Sequence, residues 1–242
     1  MLWSHLMAIC AIFFGAGLLQ GLTGFGSALF AMPLLTFFID FKSAVPLCLL
    51  NGMVITGYLT FQLRRYLTIK TIGPMLIGAL PGILFGTLLL KSLPIKALQL
   101  SLGILLTTYC IWALLRPPVR RKLGSAWSYI AGFVSGAVGA TIGTSGPPVI
   151  IYVSLSNWSK DYAKATLTGF FITTGLLTLI SQGFYGLITP KVLKFFAFSG
   201  LWVLLGTHLG VMLYGKLDTV RYLRLVIFTL LLLGITLILK TF

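Results

Sequence analysis

The sequence predicts an all-α polytopic membrane protein built from two homologous halves. Three observations carry that prediction. Of the 242 residues, 58% are hydrophobic and only 9% are charged, whereas a soluble domain carries about 25% charged residues. The apolar residues fall in blocks, with charge-free runs at residues 1–39, 43–63, 71–90, 97–115, 123–159, 165–190, 195–215 and 225–239. The order of one long run followed by three shorter ones occurs twice. About 20 apolar residues cross a bilayer as a helix. Membrane barrels instead need alternating segments of about 10 residues, and these runs do not alternate. Helices also satisfy every backbone group internally, as lipid requires.

The first run, residues 1–39, lacks a positively charged n-region and is read as a retained segment. As one helix, a run of this length would extend about 55 Å against a hydrocarbon core of about 30 Å. It must break or fold back, and GLTGFGS at residues 21–27 is the place. The runs at 43–63, 71–90 and 97–115 each predict one crossing helix. RPPVRRK, residues 116–122, is a basic, proline-rich joint. The second long run, 123–159, breaks at GATIGTSGPP, residues 139–148, and three further crossings follow. The chain is thus one transmembrane domain, with repeat 1 at approximately 1–115 and repeat 2 at approximately 123–242.

Glycine spacing supports the duplication. A shift of 115 positions carries Gly17, Gly21 and Gly24 onto Gly132, Gly136 and Gly139, and Pro33 onto Pro148. Near the end of each half, Lys70, Gly82 and Gly86 align with Lys194, Gly206 and Gly210. Pairs such as Gly17/Gly21, Gly82/Gly86, Gly132/Gly136 and Gly206/Gly210 are small-xxx-small signals for close helix packing.

The formal net charge is +15, from 18 Lys and Arg against 3 acids. The bases lie in short loops beside apolar runs, the positive-inside pattern that also attracts anionic lipid, and not a nucleic-acid footprint. Their distribution bears on topology. If each long run is one broken crossing, the repeats are parallel and the bases divide 10 to 8. If each is a hairpin returning to its own side, the repeats are inverted and the division is 12 to 6. The minority face then holds Lys42, Lys91, Lys96, Lys191, Lys194 and Lys240. The sharper bias favours inverted repeats, each a broken or re-entrant helix pair plus three transmembrane helices, with both termini outside.

Non-helical backbone at membrane depth survives only when buried in protein or lining a cavity, so the two breaks are the expected binding site. The first offers Gln20, Thr23, Gly24, Gly26 and Ser27; the second offers Ser135, Thr141, Gly143, Thr144, Ser145 and Gly146. Ser27 and Ser145 are read as N-caps of two half-helices, with Pro147 in the first turn of the second. Helix N-termini favour anions. Asn51 and Thr168 occupy matching positions in the two halves. Each either lines the pathway or bonds a neighbouring helix. His208 is a candidate for substrate or proton contact, with a hydrogen-bonded packing role the alternative. Asp40, Asp161 and Asp218 all sit near helix ends, so no carboxylate is expected deep in the membrane, where proton, sodium and cation pathways use them. Cys10, Cys48 and Cys110 lack metal-ligand spacing and read as small hydrophobes. No cofactor, metal or catalytic set is expected.

The segments GLLQGLTGFGSALFAMPLL (17–35) and GFVSGAVGATIGTSGPPVIIY (132–152) resemble the two signature segments of the sulfite exporter TauE/SafE family, also called the 4-toluene sulfonate uptake permease family. The resemblance covers essentially the whole chain. Ser27 and Ala28 stand where family members often have further glycines. The resemblance implies a multi-pass protein of the bacterial inner membrane that transports small sulfur-containing or organic anions: sulfite, sulfonates or sulfoacetate. Expected partners are that anionic substrate and membrane lipids, with a homodimer left open. Export is favoured, since one anion leaving through 100 mV gains about 2.3 kcal/mol. An anion channel and a proton-coupled importer are the alternatives.

Overall fold

The computed structural model describes residues 2–115, 125–156, 158–214 and 219–241. The basic joint at 116–122, with Lys216 and Asp218, lies outside the described residues. Among the described residues there are ten α-helices and no strand. They are α1 (Leu2–Thr23), α2 (Ser27–Leu35), α3 (Phe41–Leu63), α4 (Ile69–Ser92), α5 (Ile95–Leu115), α6 (Ser125–Ile142), α7 (Gly146–Leu155), α8 (Lys160–Phe184), α9 (Pro190–Leu213) and α10 (Thr219–Thr241). Among the described residues six helices, α1, α3, α4, α5, α8 and α9, are long and apolar enough to cross a membrane.

Several starts follow from side-chain caps. Asp40 accepts the Ser43 N–H at 2.8 Å to begin α3. Ser159 and Thr189 accept the N–H of Tyr162 and Val192 to begin α8 and α9, and Pro190 occupies the first turn of α9. Within the helices, hydroxyls such as Thr56, Thr87 and Thr178 donate to the carbonyl four residues earlier, so they need no water.

Both long runs fold back at their glycine breaks. The Phe30 ring of α2 faces Gly15 of α1, and Leu19 lies beside Gly26. His5 and Phe38 meet edge to face with ring centroids 5.9 Å apart. Thus α2 retraces α1 toward the side on which α1 began. In the second half, Ser135 of α6 donates to the Ser145 carbonyl, and Ser128 bonds Tyr152 of α7. The vertices need glycine: Gly24, Gly26 and Gly143 have φ of +88°, +97° and +76°, a region that other residues rarely adopt. The leading arms are deep. At 22 residues α1 is about 33 Å long, a full bilayer core, whereas α2 has only 9 residues.

Two glycine seams bind the halves together. Gly17 and Gly21 of α1 abut Val203, Thr207 and Gly210 of α9, while Gly206 abuts Phe14 and Gly210 abuts Leu18. On α4, Gly78, Gly82 and Gly86 meet Tyr129, Phe133 and Ala137 of α6. A Cβ at these positions would strike a facing carbonyl, so the missing side chain lets the backbones touch. All eight glycines expected to pack helices lie in these seams. Contact numbers rise together on both partners, so α1 runs parallel to α9, and α4 to α6. The other two pairs run antiparallel: Gly103 of α5 meets Ile238 of α10 while Gly234 meets Thr107, and Gly57 of α3 meets Ile172 of α8 while Gly175 meets Met53.

These directions agree with one path through the molecule. Each hairpin folds back along its leading arm. At one end of the bundle, Lys191 at the start of α9 pairs with Asp40 at the start of α3 at 3.5 Å. There too, Lys42 Nζ donates to the Lys91 carbonyl at the end of α4 at 2.8 Å. Three of the six bases assigned to the minority face therefore lie together.

Burial is distributed as a lipid environment demands. Ile77, Leu80, Leu84 and Phe85 on α4, with Leu201, Trp202, Leu205 and Met212 on α9, are exposed. Polar residues such as Gln20, Asn51, Thr87, Ser135, Thr144 and Gln182 are buried. Exposed apolar side chains of this number suit a lipid surrounding.

Candidate functional site

The two hairpin vertices and the middles of α3 and α8 line a cavity of about 70 Å³. The first hairpin contributes Gln20, Gly26, Ser27, Ala28 and Leu29; the second contributes Ser135, Gly136, Gly139, Gly143, Thr144, Ser145 and Gly146. The side walls are Cys48, Leu49, Gly52, Met53 and Thr56 of α3, and Phe171, Thr174, Gly175 and Thr178 of α8. One water occupies roughly 10–15 Å³ on this scale, so the space suits several waters or one small oxyanion. No charged side chain lines it.

The first turns of α2 and α7 both open on this cavity. At α2 the N-cap is Gly26, in the left-handed conformation, and not Ser27 as expected. The vertex finishes its turn one residue earlier than the hydroxyl pattern suggests. This leaves Ser27 in the first helical position, where its hydroxyl donates to Gln20 Oε1 across the hairpin. At α7 the N-cap is Ser145, as expected, but its side chain makes no capping bond. The two N-termini differ chemically. The first turn of α2 presents the N–H groups of Ser27, Ala28 and Leu29, none with an intrahelical acceptor. In α7, Pro147 and Pro148 have no N–H, so hydroxyls must supply donors there. Thr144 is the clearest: it is 0% exposed, it lines the cavity, and its Oγ1 has no hydrogen-bond partner.

Six of the expected site residues lie elsewhere. The Thr23 hydroxyl donates to the Leu19 and Phe25 carbonyls, at 2.8 and 2.6 Å, and so ties the vertex turn. Gly24 packs on the Lys164 side chain. Thr141 donates to Ala137 O and, across the seam, to Gly86 O at 3.0 Å. Asn51 Nδ2 donates to Ser199 Oγ of α9 at 2.9 Å, an interhelical bond. Thr168 donates to the Ala165 carbonyl within its own helix. His208 is exposed, with Nδ1 2.7 Å from the Tyr58 hydroxyl. Conversely, Thr174, Thr178 and Gly52 line the cavity without having been singled out. The signal for them was a stripe at helical spacing, 171/174/175/178 on α8 and 48/49/52/53/56 on α3.

The sequence profile of the sulfite exporter TauE/SafE family matches residues 9–237. No curated protein and no solved structure matches the chain.

Proposed function

The chain belongs to the sulfite exporter TauE/SafE family, a family of membrane transporters, and on that premise we propose that it moves a small oxyanion of the sulfite class outward across the inner membrane, through the cavity between its hairpins. The observation that carries this reading is the Thr144 hydroxyl, buried and unpartnered in a cavity without charge. Around it stand the first-turn amides of α2 and the hydroxyls of Ser27 and Ser145. These groups donate hydrogen bonds to negative oxygens, and low-dielectric surroundings strengthen each such bond. A neutral site holds an anion and still releases it, whereas a fixed lysine would hold it more tightly.

The volume favours an oxyanion of sulfite size over an arylsulfonate. Export follows from the membrane potential, which drives an anion out at about 2.3 kcal/mol per 100 mV. His208, the one candidate for proton coupling, stands outside the cavity lining.

We read the halves as inverted repeats. The opposed directions of counterpart helices support this, as does the gathering of Lys42, Lys91 and Lys191 at one end. Inverted repeats with the substrate at their interface suit alternating access. The test is flux in proteoliposomes with an imposed potential. Saturable, potential-driven sulfite movement is expected, with sulfoacetate slower. A protein inert to sulfite and sulfonates under either polarity overturns the reading, and a non-saturating current would make it a channel.

A further inference from the structure

We propose that Lys164 is the latch of the first hairpin: a positioning residue that holds the cavity shut on the side where α8 begins and α9 ends. The proposal rests on the transport reading above. Lys164 is half-buried near the start of α8, and its Nζ donates to the Gly21 carbonyl at 3.0 Å. That carbonyl belongs to the last turn of α1, where carbonyls lack intrahelical donors and the negative end of the helix dipole collects. The ammonium also stands 4.3 Å from the centroid of the Tyr214 ring, at the end of α9. The methylene stem lies directly against Gly24, where a Cβ would come within 2.6 Å of Lys164 Cγ. Gly26, two residues on, is cavity wall. One side chain of the second half thus fastens the vertex of the first.

The second vertex is held differently. Gly143 rests on the Met32 side chain and the Val45 backbone. The last-turn carbonyl of Ala140 there accepts the neutral, buried Gln182 amide of α8 at 3.2 Å, whereas the Gly21 carbonyl takes a charged, half-buried donor. The two hairpins are therefore unequal. Only the first is held by a group that an anion can draw away. The chemistry of the latch also selects what opens it. An ammonium bonds an anion more strongly than a neutral carbonyl, so an oxyanion reaching the vertex competes with Gly21 for Lys164. Asp161, one turn earlier on α8, is the acidic neighbour of the ammonium.

Cys48 in the cavity wall is a built-in reporter. The test uses the full chain with Cys10→Ala and Cys110→Ala, reconstituted in liposomes. A membrane-impermeant methanethiosulfonate is applied from each side in turn. Lys164→Met, which keeps the stem and removes the charge, should speed Cys48 labelling from the side of the α8 start by about tenfold or more, the loss of one charge-assisted bond. Labelling from the other side should not change. Lys164→Arg should restore the slow rate, and Tyr214→Leu should give an intermediate one. Unchanged labelling in Lys164→Met, equal acceleration from both sides, or no labelling of Cys48 in any variant overturns the latch. Failure of the transport reading looks different: sulfite neither moves nor protects Cys48, while the one-sided effect of Lys164→Met persists.

Discussion

Replacing Thr144 by Val separates a substrate-binding hydroxyl from a structural one, because the two roles give opposite signs. Thr144 Oγ1 is buried and bonds no protein group. A buried hydroxyl in that condition carries a desolvation penalty of about 1–3 kcal/mol. Valine has nearly the same shape and no such penalty. The ligand-free variant should therefore unfold at the same temperature as the parent or higher. With sulfite the order reverses. A hydrogen bond to a charged acceptor is worth about 1.5–3 kcal/mol, so the dissociation constant should rise at least about tenfold. At sulfite 100 times the parental dissociation constant, the parent gains about 2.7 kcal/mol and a tenfold weaker variant about 1.4 kcal/mol. Thermal unfolding in detergent with a sulfite titration measures both quantities, and KM in proteoliposomes should follow. A ligand-free variant that melts several degrees lower, with unchanged sulfite stabilisation, would refute the assignment.

Other outcomes test the frame around the site. Gly206→Ala places a Cβ on the Phe14 carbonyl and should destabilise by about 1–3 kcal/mol. Gly57→Ala, whose Cβ would meet only Ile172 at 3.9 Å, should gain up to about 1 kcal/mol from helix propensity; equal effects in thermal unfolding would dissolve the seam argument. Asn51→Ala should cost about 0.6–1.7 kcal/mol, the range for interhelical bonds in membranes, with the sulfite KM unchanged. Burial pushes the Asp40 carboxyl up, but hydrogen bonds from Ser43 and the charge of Lys191 outweigh it and hold the group below its ordinary value. A lowered carboxylate adds stability above its unfolded value, near pH 4, and loses it as pH falls through the folded one. Asparagine also caps helices. The melting difference between the parent and Asp40→Asn should therefore close below about pH 4, and a constant difference would deny Asp40 its ionic role.

The helices were legible because lipid leaves few choices: a run too long for one crossing and rich in glycine has to turn, and Gly24, Gly26 and Gly143 mark the turns with positive φ. The seams were legible because glycines four apart have one common use at helix interfaces. Phase within the breaks was not. Thr141 and Thr144 are hydroxyls three residues apart beside the same vertex. One ends α6 and bonds the seam; the other follows the turn and faces the cavity. A break resets the helical register, so spacing no longer tells which side a residue faces. The same reset moved the N-cap of α2 onto Gly26 and left Ser27 to bond Gln20. Asn51 illustrates a second limit, since a polar residue at membrane depth satisfies itself equally by a substrate or by Ser199 on another helix. The wall from α8 was visible as a stripe of Thr174 and Thr178, but intrahelical bonding explains threonines in apolar helices just as readily.

Selenite, the heavier analogue of sulfite, gives the most direct measurement of where the anion sits. Crystals soaked at saturating selenite should show a selenium anomalous peak between the hairpins, within hydrogen-bond reach of Thr144 and of the first turn of α2. A peak elsewhere in the bundle, or an empty cavity in a protein that still transports sulfite, would contradict the site proposed for this family member.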